Sequence, residues 1–442
     1  MNNYLTLFVT AAVVLAIGGL RVPAQEAMPQ PVAVYDSDPQ HLWNRLHEIL
    51  WHRVAPDERV YGHDRVDPLL WSQTRHLLQG PSRKAVRQVL RDFLDNHGEK
   101  LIDDPLKRAL LQRDLWAIFD WLANRHTDEN YEPIGAEAQV LLRRPLALAI
   151  ERLALDPQSI EKLPDTYAAA VASRQFASKY DPAQPQASFL PPDLFDPHGP
   201  WVCVGRNGSD IVVPAHASGF SRSVFQVFLK LPDGRQATSD YLTALSSFKQ
   251  PFVFQPLAND GRVRRPNPDL PEFPAGTQVA LVRSALLIDS GLRPRATRIV
   301  ESVQLRDETG SYEFTLSRER LFAGTAGGLR AVASDERDFD STFNGTRIDV
   351  FEDGNFAGKD FARRMQVVRK TCVACHRHGT SVQSFNTFVG GFSPPELNPS
   401  FYDTRTTARG ETAAIRHKQT LYDWGLLEGL VSAEHESAAK RP

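Results

Sequence analysis

The run Val224-Phe225-Gln226-Val227-Phe228-Leu229-Lys230-Leu231 separates two kinds of sequence in this chain. Its aromatic and β-branched residues, and an apolar period close to two, predict an extended strand. The tripeptide Pro232-Asp233-Gly234 ends the run and predicts a turn and a hairpin. Short runs of the same kind predict further strands at 211–213, 252–254, 278–287, 303–306 and 312–316. We therefore predict a β-rich domain, sandwich or barrel-like, over residues 201–350.

On the N-terminal side of this domain, the apolar period is that of helices. Between residues 38 and 177, apolar residues recur every three or four positions in several segments. Asp38-Pro39 and Asp104-Pro105 each place a capping carboxylate and a first-turn proline before such a segment. A third segment lies between Ser82 and Gly98. These patterns predict an all-helical region over residues 38–177.

Residues 178–200 contain six prolines in a short polar stretch. Proline lacks the N–H that an inner strand needs and breaks a helix interior. We therefore interpret this stretch as a linker between the helical and the β-rich regions.

The N-terminus predicts export. An apolar run from Leu5 to Leu20 is followed by Arg21 and then by Val22-Pro23-Ala24, which is typical of a signal-peptidase site. We predict that residues 1–24 are a secretory signal and that the protein is periplasmic or secreted, with membrane contact only if this segment stays uncleaved. The 51 basic and 53 acidic residues give a net charge of -2, which indicates no nucleic-acid partner.

The chemistry of the chain lies in Thr371-Cys372-Val373-Ala374-Cys375-His376, a C-x-x-C-H run. Two thiols one helical turn apart can add to the two vinyl groups on one edge of a porphyrin, and the adjacent His can bind its iron. Only three cysteines are present, and two of them are in this run. The third, Cys203, fits a buried strand position.

Three other interpretations of the run stay open. A zinc site could add His378 to Cys372, Cys375 and His376, but four ligands so close along the chain close a tetrahedron poorly. A dithiol redox motif would need a thioredoxin-like βαβ context, which the flanking residues lack. A structural disulfide would close a very small loop and leave His376 without a role.

Residues 356–432 resemble a c-type cytochrome domain, and the resemblance rests on the C-x-x-C-H run. A helix carrying Phe361, Met365 and Val368 on one face is expected to lead into Cys372. The resemblance implies one covalent haem c held by Cys372 and Cys375, with His376 as the proximal iron ligand. The predicted fold is therefore α+β and multidomain, with an N-terminal all-helical region, a central β-rich domain and a small C-terminal helical cytochrome c-like domain.

The sixth iron ligand departs from the pattern of the family. Small members usually supply a Met after the motif, but the only methionines here are Met1, Met28 and Met365. His417, on a helix expected over residues 412–430, is the substitute we predict, because His378 is too close to His376 and His435 lies in a polar tail. An open, five-coordinate iron is the alternative.

The remaining polar residues predict no second site. Arg363, Arg364, Arg369, Lys370 and Arg377 surround the motif and fit either a solvated face or a contact with haem propionates or an acidic redox partner. The histidines of the helical region lack metal-ligand spacing and fit scattered surface or capping positions. Among them are His41, His47, His52, His63 and His76.

These features favour an electron-transfer protein that exchanges electrons with a redox partner protein. No catalytic side chain is then required. Two alternatives are a haem-dependent oxidoreductase or peroxidase with an open iron site, and a binding or scaffold protein in which the haem is structural.

Overall fold

The structure is a computed structural model. It describes residues 33–54, 60–68, 70, 74–123, 136–181, 183–184, 187–206, 211–217, 219–247, 252–256, 262–269, 271, 273–307, 310–339, 351, 365–368 and 402–439. The expected signal segment, residues 1–24, lies outside these ranges.

The N-terminal part is mainly helical, but a two-stranded hairpin of Arg53–Val54 and Val60–Tyr61 interrupts the all-helical region predicted over residues 38–177. Its helices are α1 (Leu42–Trp51), α2 (Gly80–Asp95), α3 (Pro105–Ala123), α4 (Ala136–Leu153), α5 (Pro157–Glu161) and α6 (Thr166–Ala172). Asp104 caps α3, because its carboxylate accepts hydrogen bonds from the backbone N–H groups of Leu106 and Lys107 at 2.8 and 3.1 Å. In the described part of the chain, no helix has the length and apolar character needed to cross a membrane.

The central part holds most of the strands, with helices between them. The strands are β1 (Arg53–Val54), β2 (Val60–Tyr61), β3 (Val202–Arg206), β4 (Ser223–Lys230), β5 (Phe252–Pro256), β6 (Arg262–Pro266), β7 (Gln278–Ile288), β8 (Pro294–Arg306), β9 (Ser311–Leu316), β10 (Leu329–Ala331), β11 (Arg337–Phe339), β12 (Met365–Val367) and β13 (Tyr402–Thr404). The helices are α7 (Pro214–Ala217), α8 (Gly234–Ser246), α9 (Arg318–Phe322), α10 (Thr407–Gln419) and α11 (Tyr422–Ala439).

Seven strands form one antiparallel sheet in the order β10-β9-β8-β7-β4-β3-β13. This sheet is open, with β10 and β13 at its edges, and is not the sandwich or barrel expected; the other described strands pair as β1-β2, β5-β6 and β11-β12. Strand β4 is buried at six of its eight positions, on both faces. A strand buried on both faces reads as a nearly continuous apolar run, which explains why the run at 224–231 alternates so weakly.

The helices and the sheet share their cores. Val224, Leu286 and Ile288 of the sheet pack with residues of α1 to α4 and with Trp424 and Leu427 of α11. The segment expected to be a linker contributes buried Phe189, Leu190 and Leu194 to a second core. Its prolines do exclude a helix over 187–200, but its apolar side chains cover the sheet. The segment therefore packs against the sheet.

Several local predictions were wrong. Pro232-Asp233-Gly234 does not close a hairpin, because Gly234, with a left-handed φ of +85°, begins α8. The strand that next pairs with β4 along the chain is β7. Residues 211–213 form no strand, because Pro214 begins α7. The helix expected around Met365 is the strand β12, which is defined by its pairing with β11. The single helix expected over 412–430 is divided between α10 and α11.

Candidate haem site

The three residues predicted to hold the haem, Cys372, Cys375 and His376, lie outside the described residues, as do the basic residues around them. The third cysteine is described. Cys203 is a buried free thiol on β3, opposite Phe228 of β4. Burial raises the pKa of the Cys203 thiol to about 12, so it stays protonated at neutral pH. The prediction of a buried strand position for Cys203 is confirmed.

Both flanks of the motif belong to the folded body. On the N-terminal side, β12 pairs with β11, and the N–H of Val368 donates to the carbonyl of Glu336 at 3.0 Å. On the C-terminal side, β13 pairs with β3, and the N–H of Arg405 donates to the carbonyl of Cys203 at 2.8 Å. The segment that carries the motif is therefore tied at each end to packed structure.

His417 lies in the last turn of α10, half-buried. The next residue, Lys418, is fully buried, and its ammonium lies 2.7 Å from the carboxylate of Asp120 and 3.0 Å from that of Asp423. Adjacent helical residues point about 100° apart, so Lys418 fixes the rotation of α10 and thereby the direction of His417. The role of His417 as sixth ligand stays a prediction.

Three histidines of the N-terminal region lie together, which the sequence analysis did not predict. The ring of His47 is buried and stacks on Trp51, with centroids 5.2 Å apart. The rings of His52 and His63 meet edge to face at 6.1 Å. The hairpin β1–β2 causes this meeting, because it pairs Arg53 with Tyr61 and so returns the chain to the end of α1.

His41 and His76 lie in positions closer to those expected. His41 caps α1, since its Nδ1 accepts a hydrogen bond from the N–H of Trp43 at 3.3 Å. The Nε2 of His76 lies 2.9 Å from the carbonyl oxygen of Ile49. The proximity of His52 and His63 follows from their positions on either side of a short hairpin. It could be predicted only with knowledge of the pairing register of that hairpin.

Carboxylates lie beside two of the clustered rings. Nδ1 of His52 lies 2.8 Å from Glu48 Oε1, and Nε2 of His63 lies 3.3 Å from Glu319 Oε1. Neither ring nitrogen of His52 makes a hydrogen bond of good geometry among the described residues, so His52 and Glu48 are close in distance but not hydrogen-bonded.

Arg318 holds the loop that carries His63. This fully buried guanidinium donates to the carbonyl of Arg65 and to the hydroxyl of Tyr35, each at 2.7 Å. It also pairs with the carboxylate of Asp114 at 2.7 Å. Burial, followed by the charge of Arg318, lowers the pKa of His47 well below its usual value. His47 is therefore neutral at physiological pH.

The same loop is anchored at its other end by Asp67. Three guanidinium groups lie within 3.4 Å of this carboxylate; they belong to Arg113, Arg222 and Arg283. Burial alone would raise the pKa of Asp67, but the three positive charges lower it far below its usual value. Arg222 also approaches Asp120 at 3.6 Å, so buried charges connect the loop with Lys418 of α10.

Charges buried this deeply are costly to remove from water and hold their partners in one arrangement. The loop 62–68 is thus fixed by Arg318 near one end and by Asp67 near the other.

Among the described residues, no group of three or more His, Cys, Asp or Glu side chains is arranged to hold a metal ion. Comparison of this chain with protein-family models, curated proteins and solved structures gave no match.

Proposed function

We propose that the protein is an exported c-type cytochrome that binds one covalent haem c and transfers electrons to or from a redox partner protein. The observation that carries the proposal is the run Cys372-Val373-Ala374-Cys375-His376, which uses two of the three cysteines. In this role Cys372 and Cys375 form the thioether links, and His376 is the proximal ligand.

The state of Cys203 supports the proposal. Its thiol is buried in the central sheet and stays protonated. Because the Cys203 thiol is buried and protonated, it neither competes for the haem vinyl groups nor offers a disulfide partner to Cys372 or Cys375. The odd number of cysteines in an exported chain then has a simple explanation.

The haem, when bound, supplies one-electron oxidation and reduction at its iron. The rest of the chain has other tasks. Strands β12 and β13 tie the flanks of the motif to the body, and that body offers a large folded surface on which a partner protein can be positioned. No proton transfer or nucleophile is needed for electron exchange.

The test is expression of the full chain in a bacterium that attaches haem to exported proteins. We expect a coloured protein with one haem per chain, which keeps its haem stain on a denaturing gel and is reversibly oxidised and reduced. Cys372→Ala/Cys375→Ala should lose the stain, and the matched control Cys203→Ala should keep it. A colourless wild-type protein, or a stain that survives in the double variant, would contradict the proposal.

A further inference from the structure

Helix α2 carries a row of cations that the described part of the chain leaves unpaired. They recur every three or four residues and so lie along one side of the helix: Arg83, Lys84, Arg87 and Arg91. Lys84, Arg87 and Arg91 are exposed, and Arg83 is half-buried. None of the four side chains has a hydrogen bond or an ion pair with another described residue. We call these four residues the α2 basic face.

Packing fixes the direction of this face. On the opposite side of α2, four apolar residues are buried in a core that they share with α1 and α4: Val86, Val89, Leu90 and Phe93. Because that side is held inside, the basic face is turned to solvent. From residue 83 to residue 91 it is about 12 Å long at the usual helical rise per residue. The face is therefore a short, narrow stripe on the surface.

The basic face weakens the helix that carries it. The N-terminal end of a helix disfavours cations, yet Arg83 and Lys84 lie near that end of α2, and its first turn contains no acidic residue. Arg87 has a like charge four residues away on each side, in Arg83 and Arg91, and this spacing is also destabilising. Gln79, at the N-cap, makes no side-chain hydrogen bond to the first turn. The stability of α2 therefore gives no reason for this arrangement.

The character of the face favours an acidic protein surface as its partner. Unpaired cations attract a surface of opposite charge and steer its approach. The whole chain has a net charge of -2, so any such attraction is local to α2. A bilayer fits less well, because a helix that lies on a membrane buries an apolar face in it. The apolar side of α2 is packed inside, and none of the exposed large hydrophobic residues in the described chain lies on α2.

We propose that the α2 basic face is the docking surface for an acidic face of the redox partner protein. This inference rests on the proposed function, and it names the chemistry of the partner. The small size of the stripe fits a transient contact, since complexes between electron-transfer proteins have some of the smallest interfaces. The docking surface lies in the N-terminal helical region, outside the residues 356–432 that resemble a cytochrome.

The experiment uses an acidic [2Fe–2S] ferredoxin as the probe. It is immobilised to measure binding, and in reduced form it gives one electron to the haem iron in stopped-flow mixing. At about 20 mM salt, Lys84→Glu/Arg87→Glu should associate at least about tenfold more slowly than the wild type and slow haem reduction by the same factor. The matched control Lys162→Glu/Lys179→Glu makes the same charge change at two exposed lysines outside α2 and should behave as the wild type.

Two further measurements separate docking from folding. Lys84→Arg/Arg87→Lys keeps both charges and should bind as the wild type. Thermal unfolding of Lys84→Glu/Arg87→Glu should give a Tm no lower than that of the wild type, because the substitutions place acidic groups near the N-terminal end of α2. A normal Tm with slow association then shows a defect in docking alone.

The inference is overturned if the wild type does not bind the ferredoxin, or if Lys84→Glu/Arg87→Glu binds it or is reduced by it as fast as the wild type. It is also overturned if the Lys162→Glu/Lys179→Glu control loses as much, or if vesicles of anionic phospholipid or duplex DNA bind the α2 basic face more tightly than the ferredoxin does. Binding does not require haem. Absence of attached haem with binding that still depends on α2 would therefore be failure of the proposed function alone.

Discussion

The guanidinium of Arg318 lies 2.7 Å from the carboxylate of Asp114, and neither side chain is exposed to solvent. The pair joins the start of α9 to the middle of α3, and through Arg65 it holds the loop that carries His63. Helices α3 and α9 are about 200 residues apart along the chain. This contact is therefore a long-range constraint on the position of the loop 62–68.

Removal of Arg318 should destabilise the protein strongly. Arg318→Met leaves the carboxylate of Asp114 buried without its counter-charge, which costs ~3–5 kcal/mol. Urea unfolding measures the loss. The double variant Arg318→Met/Asp114→Leu should recover part of it, because no unpaired charge then remains. A double variant less stable than Arg318→Met would show that the pair is not the source of the effect.

Substitution of Lys418 should destabilise the protein to a similar extent, because it too leaves buried carboxylates without their counter-charge. Lys418→Met removes the ammonium group that serves both Asp120 and Asp423, and we expect a loss of ~3–5 kcal/mol in the free energy of unfolding. The matched control is Gln419→Met, the next residue of α10, whose side chain is exposed; surface changes of this kind stay within about 0.5 kcal/mol. Equal stability of the two variants would contradict the assigned contact.

His47 and His216 should each lower the stability of the protein as the pH falls from 7.5 to 5.5. Burial, with the charge of Arg318, lowers the pKa of His47, and burial, with the charges of Arg306 and Arg283, lowers that of His216 to about 4. The unfolded chain, with histidine pKa values near 6.5, therefore binds protons first as the pH falls, and each proton favours unfolding. One pH unit below the unfolded pKa corresponds to about 1.4 kcal/mol per histidine.

Urea unfolding at the two pH values checks this expectation. His47→Leu should lose less stability between these pH values than the wild type, since it lacks one of these two histidines. The linkage would be wrong if His47→Leu and the wild type showed the same change in stability.

The thiols provide an independent count of the haem links. In the haem-loaded protein, Cys203 should react very slowly with a thiol reagent at pH 8, because burial raises its pKa to about 12. After unfolding in urea, one thiol per chain should react, since Cys372 and Cys375 are consumed. Three reactive thiols in the unfolded protein would show that neither link had formed.

The sequence predicted local features well and long-range ones poorly. Asp104-Pro105 correctly marked the start of α3, because a cap and a first-turn proline act within one turn. Residues 365–367 were wrongly predicted as helix, since β12 exists only through its pairing with β11, which is about 28 residues earlier in the chain. Gly234 was misread because a glycine with positive φ can start a helix as readily as it can close a hairpin.

In the candidate site too, the residues close together in the sequence could be predicted and the long-range contacts could not. Cys372, Cys375 and His376 could be identified from spacing alone, because their chemistry acts within one helical turn. The proximity of His52 and His63 depends on the register of β1–β2, and the fixation of their loop depends on Asp67 meeting three arginines from distant parts of the chain. No periodicity in the sequence encodes either relationship.

The central claim is the covalent attachment of one haem, and the mass of the intact protein tests it most directly. The mature protein, made with a haem-attachment system and measured under denaturing conditions, should have the mass of its polypeptide plus one haem. In Cys372→Ala/Cys375→Ala the mass should be that of the polypeptide alone. A wild-type protein with the mass of the bare polypeptide would contradict the account.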